Sequence, residues 1–271
     1  MAQVIRTPYQ VMKATVFALI IRNVREKFIQ SSNTRRSLGF LWLFIEPALQ
    51  VAMWVGIYAS FGSLGTAGMP TTVFIFLGAM PWVFFRRCLS FSVTGVKKGA
   101  GLYVYRQVKP IDVMLSLVIA EGSTLLIVYA IGLLGFWWFG VQYYLYQPLY
   151  FFVNLVSFAA FTFGLCLIFL VAGFFFPFLK NFVFIVQRGL YFLSGVFFAA
   201  TAIPPPYRDY LILNPLFQVI EISREAFTKV GPMYPYSNAI YLLKCSIVAG
   251  ALGIAVYFIS RRRIMMDINS R

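Results

Sequence analysis

The chain has no histidine in its 271 residues. That absence removes imidazole as a general acid or base, the histidine-centred triads, and metal sites built on histidine. Acidic residues are scarce, 8 against 23 lysines and arginines, and charged residues make up 11% of the sequence. A soluble domain carries about a quarter. With 61% hydrophobic residues, too little polar surface remains to cover a soluble core, so the class is integral membrane protein. Cysteine is also sparse. Cys88, Cys166 and Cys245 each lie inside an apolar stretch, and an odd, buried set argues against a disulfide framework. No Gly–Lys dipeptide occurs, which excludes the G-x-x-x-x-G-K-[ST] phosphate loop. No catalytic residues and no metal site are expected. Residues 10–27 are amphipathic and no small-residue cleavage site follows a short apolar core, so a cleavable signal is not expected there.

What the sequence has in abundance is apolar runs of spanning length. Crossing about 30 Å of hydrocarbon takes roughly 20 residues of helix. Runs at 38–61, 71–96, 111–139, 148–176, 182–202 and 239–259 are read as six transmembrane helices of a single domain covering 1–271. Ahead of them, over 10–30, Phe17, Ile20, Ile21, Val24 and Phe28 recur at helical spacing, with Arg22, Asn23 and Glu26 opposite. That pattern predicts an amphipathic helix lying at the membrane interface. The segment 203–236 has prolines at 204, 205, 206, 215, 232 and 235 yet is rich in Leu, Ile and Phe. It reads as two short helices broken at Asn214–Pro215 and re-entering the membrane, which such backbone tolerates when buried in protein or lining a cavity.

The net charge of +15 is not spread evenly. Basic residues gather in 1–38, 86–109 and 261–271, while the loops at 62–70 and 140–147 have none. Positive loops face the cytoplasm and its anionic lipid. Both termini and the 97–110 loop are therefore placed in the cytoplasm, the re-entrant pair opens to the other side, and nucleic acid is not expected as a partner. Trp137, Trp138 and the tyrosines of 140–147 read as an interfacial aromatic belt.

Charge inside a span is costly and marks a substrate path or a pairing. Arg86 and Arg87 sit about 22 Å along the second span, counted from Thr71 at about 1.5 Å per residue. They either meet substrate or snorkel to the headgroups; neighbours on a helix point about 100° apart, so both cannot face one pore. Arg188 and Glu121 either serve the path, pair with each other, or pair with Arg86 or Arg87. Glu46, before Pro47, reads as a cap on a kinked helix. Glu221 and Arg224, three apart, read as a local ion pair that stabilises the re-entrant element.

Four stretches carry a resemblance: RSLGFLWLFIEP at 36–47, FLGAMPWVFF at 76–85, VKPIDVMLSLVIAE at 108–121, and SGVFFAATAIPPPYRDYLILNPLFQVIEISR at 194–224. With the six-span layout, they resemble the KpsM-type capsular-polysaccharide permeases, transmembrane subunits of type-2 ABC exporters, over nearly the whole chain. The resemblance implies an all-helical homodimer with two cytoplasmic ABC ATPase subunits, which bind the ATP and magnesium this chain does not. It further implies a lipid-linked, usually acidic polysaccharide as cargo across the bacterial inner membrane, and an envelope-spanning co-polymerase beyond. Pathway candidates are then Arg86, Arg87, Arg188, Trp42 and Trp82, basic groups for an acidic polymer and aromatics for sugar rings. By analogy Lys97, Lys98, Tyr103, Tyr105, Arg106 and Lys109 carry the contact with the ATPase. The same architecture exports O-antigen or teichoic acid, which stands as the alternative. A membrane lipid-sugar enzyme would need a cytoplasmic carboxylate cluster, and only Glu26, Asp112 and Asp267 lie near that face. An ion-coupled transporter would show paired broken helices, and one broken segment is visible.

Overall fold

The computed structural model describes residues 8–30, 39–61, 69–103, 105, 107–228 and 237–269, without the side chains of 8–9, 26–30, 39–44, 46–47, 59–61 and 268–269. Arg106, the side chains of Trp42, Glu26, Glu46 and Pro47, and the loop 62–68 lie outside that description, as does 229–236. The described residues form an all-helical bundle. In chain order the helices are α1 (Pro8–Gln30), α2 (Gly39–Phe61), α3 (Thr71–Ser92), α4 (Gly95–Lys98), α5 (Ala100–Tyr103), α6 (Pro110–Trp138), α7 (Pro148–Phe175), α8 (Leu179–Leu193), α9 (Pro205–Ile212), α10 (Pro215–Glu225) and α11 (Ala239–Asn269).

Four of these, α3, α6, α7 and α11, are long and apolar enough to cross a membrane. Proline marks where two of them start. Pro110 and Pro148 occupy the first turns of α6 and α7, where a missing N–H costs nothing. Asp112 accepts a hydrogen bond from the Lys109 backbone N–H (3.1 Å), satisfying a group that the helix leaves unpaired.

α3 is the axis of the bundle. It touches α2, α6, α7, α8 and α10, and every residue over 73–85 is buried. A helix enclosed on all sides has no lipid face, so any charge on it must meet protein or a cavity. α7 and α11 cross closely. A Cβ at Gly164 would collide with the backbone of Ala249, and one at Gly253 with the backbone of Gly164. Small residues let the two backbones approach, and the Ser246 hydroxyl donates across the seam to the Ser157 carbonyl (2.7 Å).

The sequence places helix over 182–202; α8 stops at Leu193. The Ser194 hydroxyl turns back on the Leu190 carbonyl (2.6 Å), and Gly195 follows at φ +74, the left-handed residue that ends helices. Residues to Ala202 form turns and a single 3-10 turn. At about 1.5 Å per residue α8 is therefore roughly 22 Å long. At the other extreme α11 continues past 259 through Arg261–Arg263, where neither Pro nor Gly follows to end it.

α1 packs along α6. Asn23, expected on the polar side, donates to the Ser116 hydroxyl (3.1 Å), and Leu19 is buried. Phe17 and Ile21, from the expected apolar stripe, stay exposed. The helix thus bonds to the bundle through its polar side and leaves an apolar stripe outward.

Candidate functional site

Arg86 and Arg87 leave α3 in different directions, and the bundle treats them differently. Arg87 turns to α6, where its guanidinium lies 3.7 Å from the Glu121 carboxylate, with side-chain exposures of 23% and 9%. A water-sized cavity walled by Met80, Phe84, Thr124 and Val128 adjoins the pair. Of the pairings open to Glu121, the structure realises the one with Arg87. Arg86 turns the other way, into a cleft between α2, α3 and α8.

That cleft has a volume of about 470 Å³ and is walled by Leu49, Gln50 and Met53 of α2, Trp82 and Arg86 of α3, and Phe184, Gln187, Arg188 and Tyr191 of α8. Three of the five pathway candidates, Arg86, Arg188 and Trp82, meet here although the last is 106 positions from the second. The Arg188 guanidinium lies over the Phe184 ring, 4.5 Å from its centroid, a cation–π contact that holds the charge without neutralising it. Arg87 stands outside the cleft, and the Trp42 side chain lies outside the described residues.

The walls are held by hydrogen bonds that sequence reading missed. Gln187 is buried; it accepts from the Ser90 hydroxyl (3.1 Å) and donates to the Arg86 carbonyl (3.4 Å). Tyr191 accepts from the Gln50 amide (2.6 Å) and the Trp54 indole (3.1 Å). Its ring is 5.3 Å from that of Trp82 and 4.8 Å from that of Phe197. A polar Gln at 50 and another at 187 inside apolar runs were the available signals, since a buried amide needs partners. A second cavity, about 300 Å³, shares Phe184 with the first and is walled by Ser90, Lys180 and Asn181. Basic groups therefore recur along α8 from Lys180 to Arg188.

Glu221 and Arg224 do more than pair with each other. Arg224 is completely buried. It lies 3.0 Å from Glu221 and stacks over the Phe74 ring at 3.5 Å. It also donates to the carbonyls of Gly195 (2.8 Å), Val196 (2.8 Å) and Phe198 (3.1 Å). Glu221 accepts from the Ala200 N–H (3.4 Å). The pair thereby ties α10 to the turns that follow α8 and to the start of α3. Asn214 caps α10 by accepting from the Leu216 N–H (3.1 Å), with Pro215 at the first helical position. The break at Asn214–Pro215 is a true junction between two helices of 8 and 11 residues.

Among the other singled-out residues, Lys97, Lys98, Tyr105 and Lys109 are exposed on the loop between α3 and α6. Tyr103 is buried, 3% exposed. It faces the bundle and offers no surface to a partner.

Arginines and amides set among crossing helices and lining an open cleft suit a multi-pass membrane transport protein, since charge at that depth marks a path or a pairing. No family model matches the chain. It is 31% identical to the Polysialic acid transport protein KpsM of Escherichia coli over 93% of this chain and 95% of that one. It is 25% identical to the Capsule polysaccharide export inner-membrane protein CtrC of Neisseria meningitidis, over 91% of each. To the O-antigen export system permease protein RfbA of Klebsiella pneumoniae it is 24% identical over 81% of this chain and 83% of that one. The chain belongs to the family of capsule-polysaccharide export permeases of the inner membrane, and the four helices of spanning length among the described residues agree with a multi-pass place there.

Proposed function

We propose that this chain is the permease subunit of an ATP-driven exporter that moves a lipid-linked acidic capsular polysaccharide across the inner membrane through the cleft between α2, α3 and α8. The observation that carries the reading is the convergence of Arg86 and Arg188 with Trp82 and Tyr191 on one cleft. Positive charge lowers the cost of bringing anionic sugar into a low-dielectric space, and aromatic rings offer sugar-sized apolar faces without a deep pocket. In this reading α2, and α8 together with the turns that follow it to Ala202, complete a set of six spans, both termini are cytoplasmic, and α9–α10 re-enter from the far side. The open side of the cleft, where Leu49 and Met53 are exposed, is closed by a second copy of the chain. Two ABC ATPases, which bind ATP and magnesium, dock on the basic loop, and a co-polymerase continues the route outward. O-antigen export is the second reading. It rests on the Klebsiella relative, whose identity and coverage are lower than those of the capsule permeases.

The test replaces Arg86 or Arg188 by Glu, Lys and Gln and compares surface polysaccharide with permease abundance. Glu abolishes export at unchanged abundance, and Lys keeps part of it because charge matters more here than the guanidinium fork. Normal export with Gln at both positions would overturn the role of the cleft. Purifying the native complex in mild detergent and identifying the co-purifying ATPase tests the energy source.

A further inference from the structure

The loop between α3 and α6 is a mounted platform with two faces. Facing outward are Lys97, Lys98, Ala100, Gly101, Tyr105, Gln107 and Lys109. Facing inward are Gly95, Val96, Gly99, Tyr103 and Val108, all buried. α4 is seated so closely that a Cβ at Gly95 would lie 2.8 Å from Leu170 of α7 and 3.0 Å from Met114 of α6. One side chain packs against the turn between α4 and α5. The Tyr103 ring folds back over Gly99, where a Cβ would lie 2.5 Å from the phenol oxygen and 2.7 Å from the ring carbon that bears it. The backbone closes the same turn, with the N–H groups of Leu102 (2.8 Å) and Tyr103 (3.3 Å) donating to the Gly99 carbonyl.

The Tyr103 hydroxyl is buried and finds no hydrogen-bond partner among the described residues. The ring therefore acts by filling space and not by bonding. Burial pushes its phenol far above the ordinary range, with Tyr257 of α11 adding to the shift, Arg22 of α1 opposing it and Asp112 of α6 adding again.

We infer that Tyr103, packed on Gly99, is the strut that fixes the basic loop to the ends of the bundle, so that a partner's push on Lys97 and Lys98 moves the helices and does not merely bend the loop. This positioning role rests on the transport reading above, because without a partner on the loop there is no force to transmit.

Two measurements test it. Hydrogen exchange of the loop over 95–103 in the full chain, reconstituted in lipid nanodiscs, needs no partner. Export per ATP hydrolysed by the assembled exporter does. Tyr103→Phe keeps the ring and removes an oxygen that has no partner, so exchange and export both match the wild type. Tyr103→Ala and Tyr103→Leu raise loop exchange and lower export by roughly tenfold while ATP hydrolysis stays within about twofold, the scale typical of coupling between sites. Gly101→Ala is the control, since a Cβ there meets nothing. Unchanged exchange in Tyr103→Ala overturns the strut, as does a Tyr103→Phe variant that fails like Tyr103→Ala. Loss of both the Ala and Leu variants from the membrane also overturns it, because the ring would then be needed for folding and not for coupling. If the exchange results hold while the wild type neither binds an ATPase nor exports, Tyr103 still fixes the loop, and the transmission of force fails together with the transport reading.

Discussion

Replacing Arg224 by Met tests how firmly α10 is held. The guanidinium has no solvent exposure and serves Glu221 together with the carbonyls of Gly195, Val196 and Phe198. Met fills much of the volume but leaves the Glu221 carboxylate buried beside three carbonyls that have lost a donor. Removing one partner of a buried ion pair costs about 3–5 kcal/mol. The stranded carbonyls add about 1 kcal/mol or more each if nothing relaxes, though terms within one network do not simply sum. Taking about 4 kcal/mol, and roughly 2–4 °C per kcal/mol for a chain of this size, the midpoint falls by roughly 8–16 °C. Cys88 and Cys166 are buried, so a thiol-reactive fluorophore reports unfolding in detergent once Cys245 is replaced by Ser. Adding Glu221→Gln removes the stranded charge, and about half of the loss returns. Arg224→Lys lies between, because an ammonium cannot reach carbonyls and carboxylate in the fork geometry. A midpoint for Arg224→Met within about 2 °C of wild type, or a double variant no better than the single, would refute this account.

Arg87→Gln and Glu121→Gln each destabilise by about 1–3 kcal/mol, and the exchange Arg87→Glu with Glu121→Arg restores part of it; thermal midpoints that simply add would show that the two do not interact. Gly164→Leu forces α7 and α11 apart and costs about 3 kcal/mol or more, seen as loss of the folded permease from the membrane. Gly250→Ala, whose Cβ would meet nothing, leaves it unchanged, and equal tolerance at both positions would refute the close crossing.

Elements with a local cause were legible. The apolar runs at 71–96, 111–139, 148–176 and 239–259 hold α3, α6, α7 and α11. The helix starts at Pro110, Pro148 and Pro215 are written in single residues, because a fixed φ and a missing N–H act within one turn. The break at Asn214–Pro215 was visible for the same reason. The early end of α8 was harder to see, since SGVFF continues an apolar run and composition cannot tell a membrane helix from a buried turn. There the left-handed Gly195 and the carbonyls taken up by Arg224 decide the matter, and Arg224 is 29 residues away.

The sequence alone also determined that Arg86 and Arg87 diverge, since 100° per residue is a property of any helix. It could not say which one points where. That depends on α3 being enclosed, with Glu121 of α6 on one side and α8 on the other, a matter of packing between distant segments. The same holds for Tyr103. Its place in a basic loop was plain, and the family resemblance implied a partner-facing role for it. Burial reversed it, because which side of a short helix faces the protein is set by what packs beneath. Charge, hydropathy and turn chemistry are carried residue by residue and can be read in one dimension. The cleft, the Arg224 tie and the seat of Tyr103 on Gly99 are juxtapositions, and they exist once the helices have crossed.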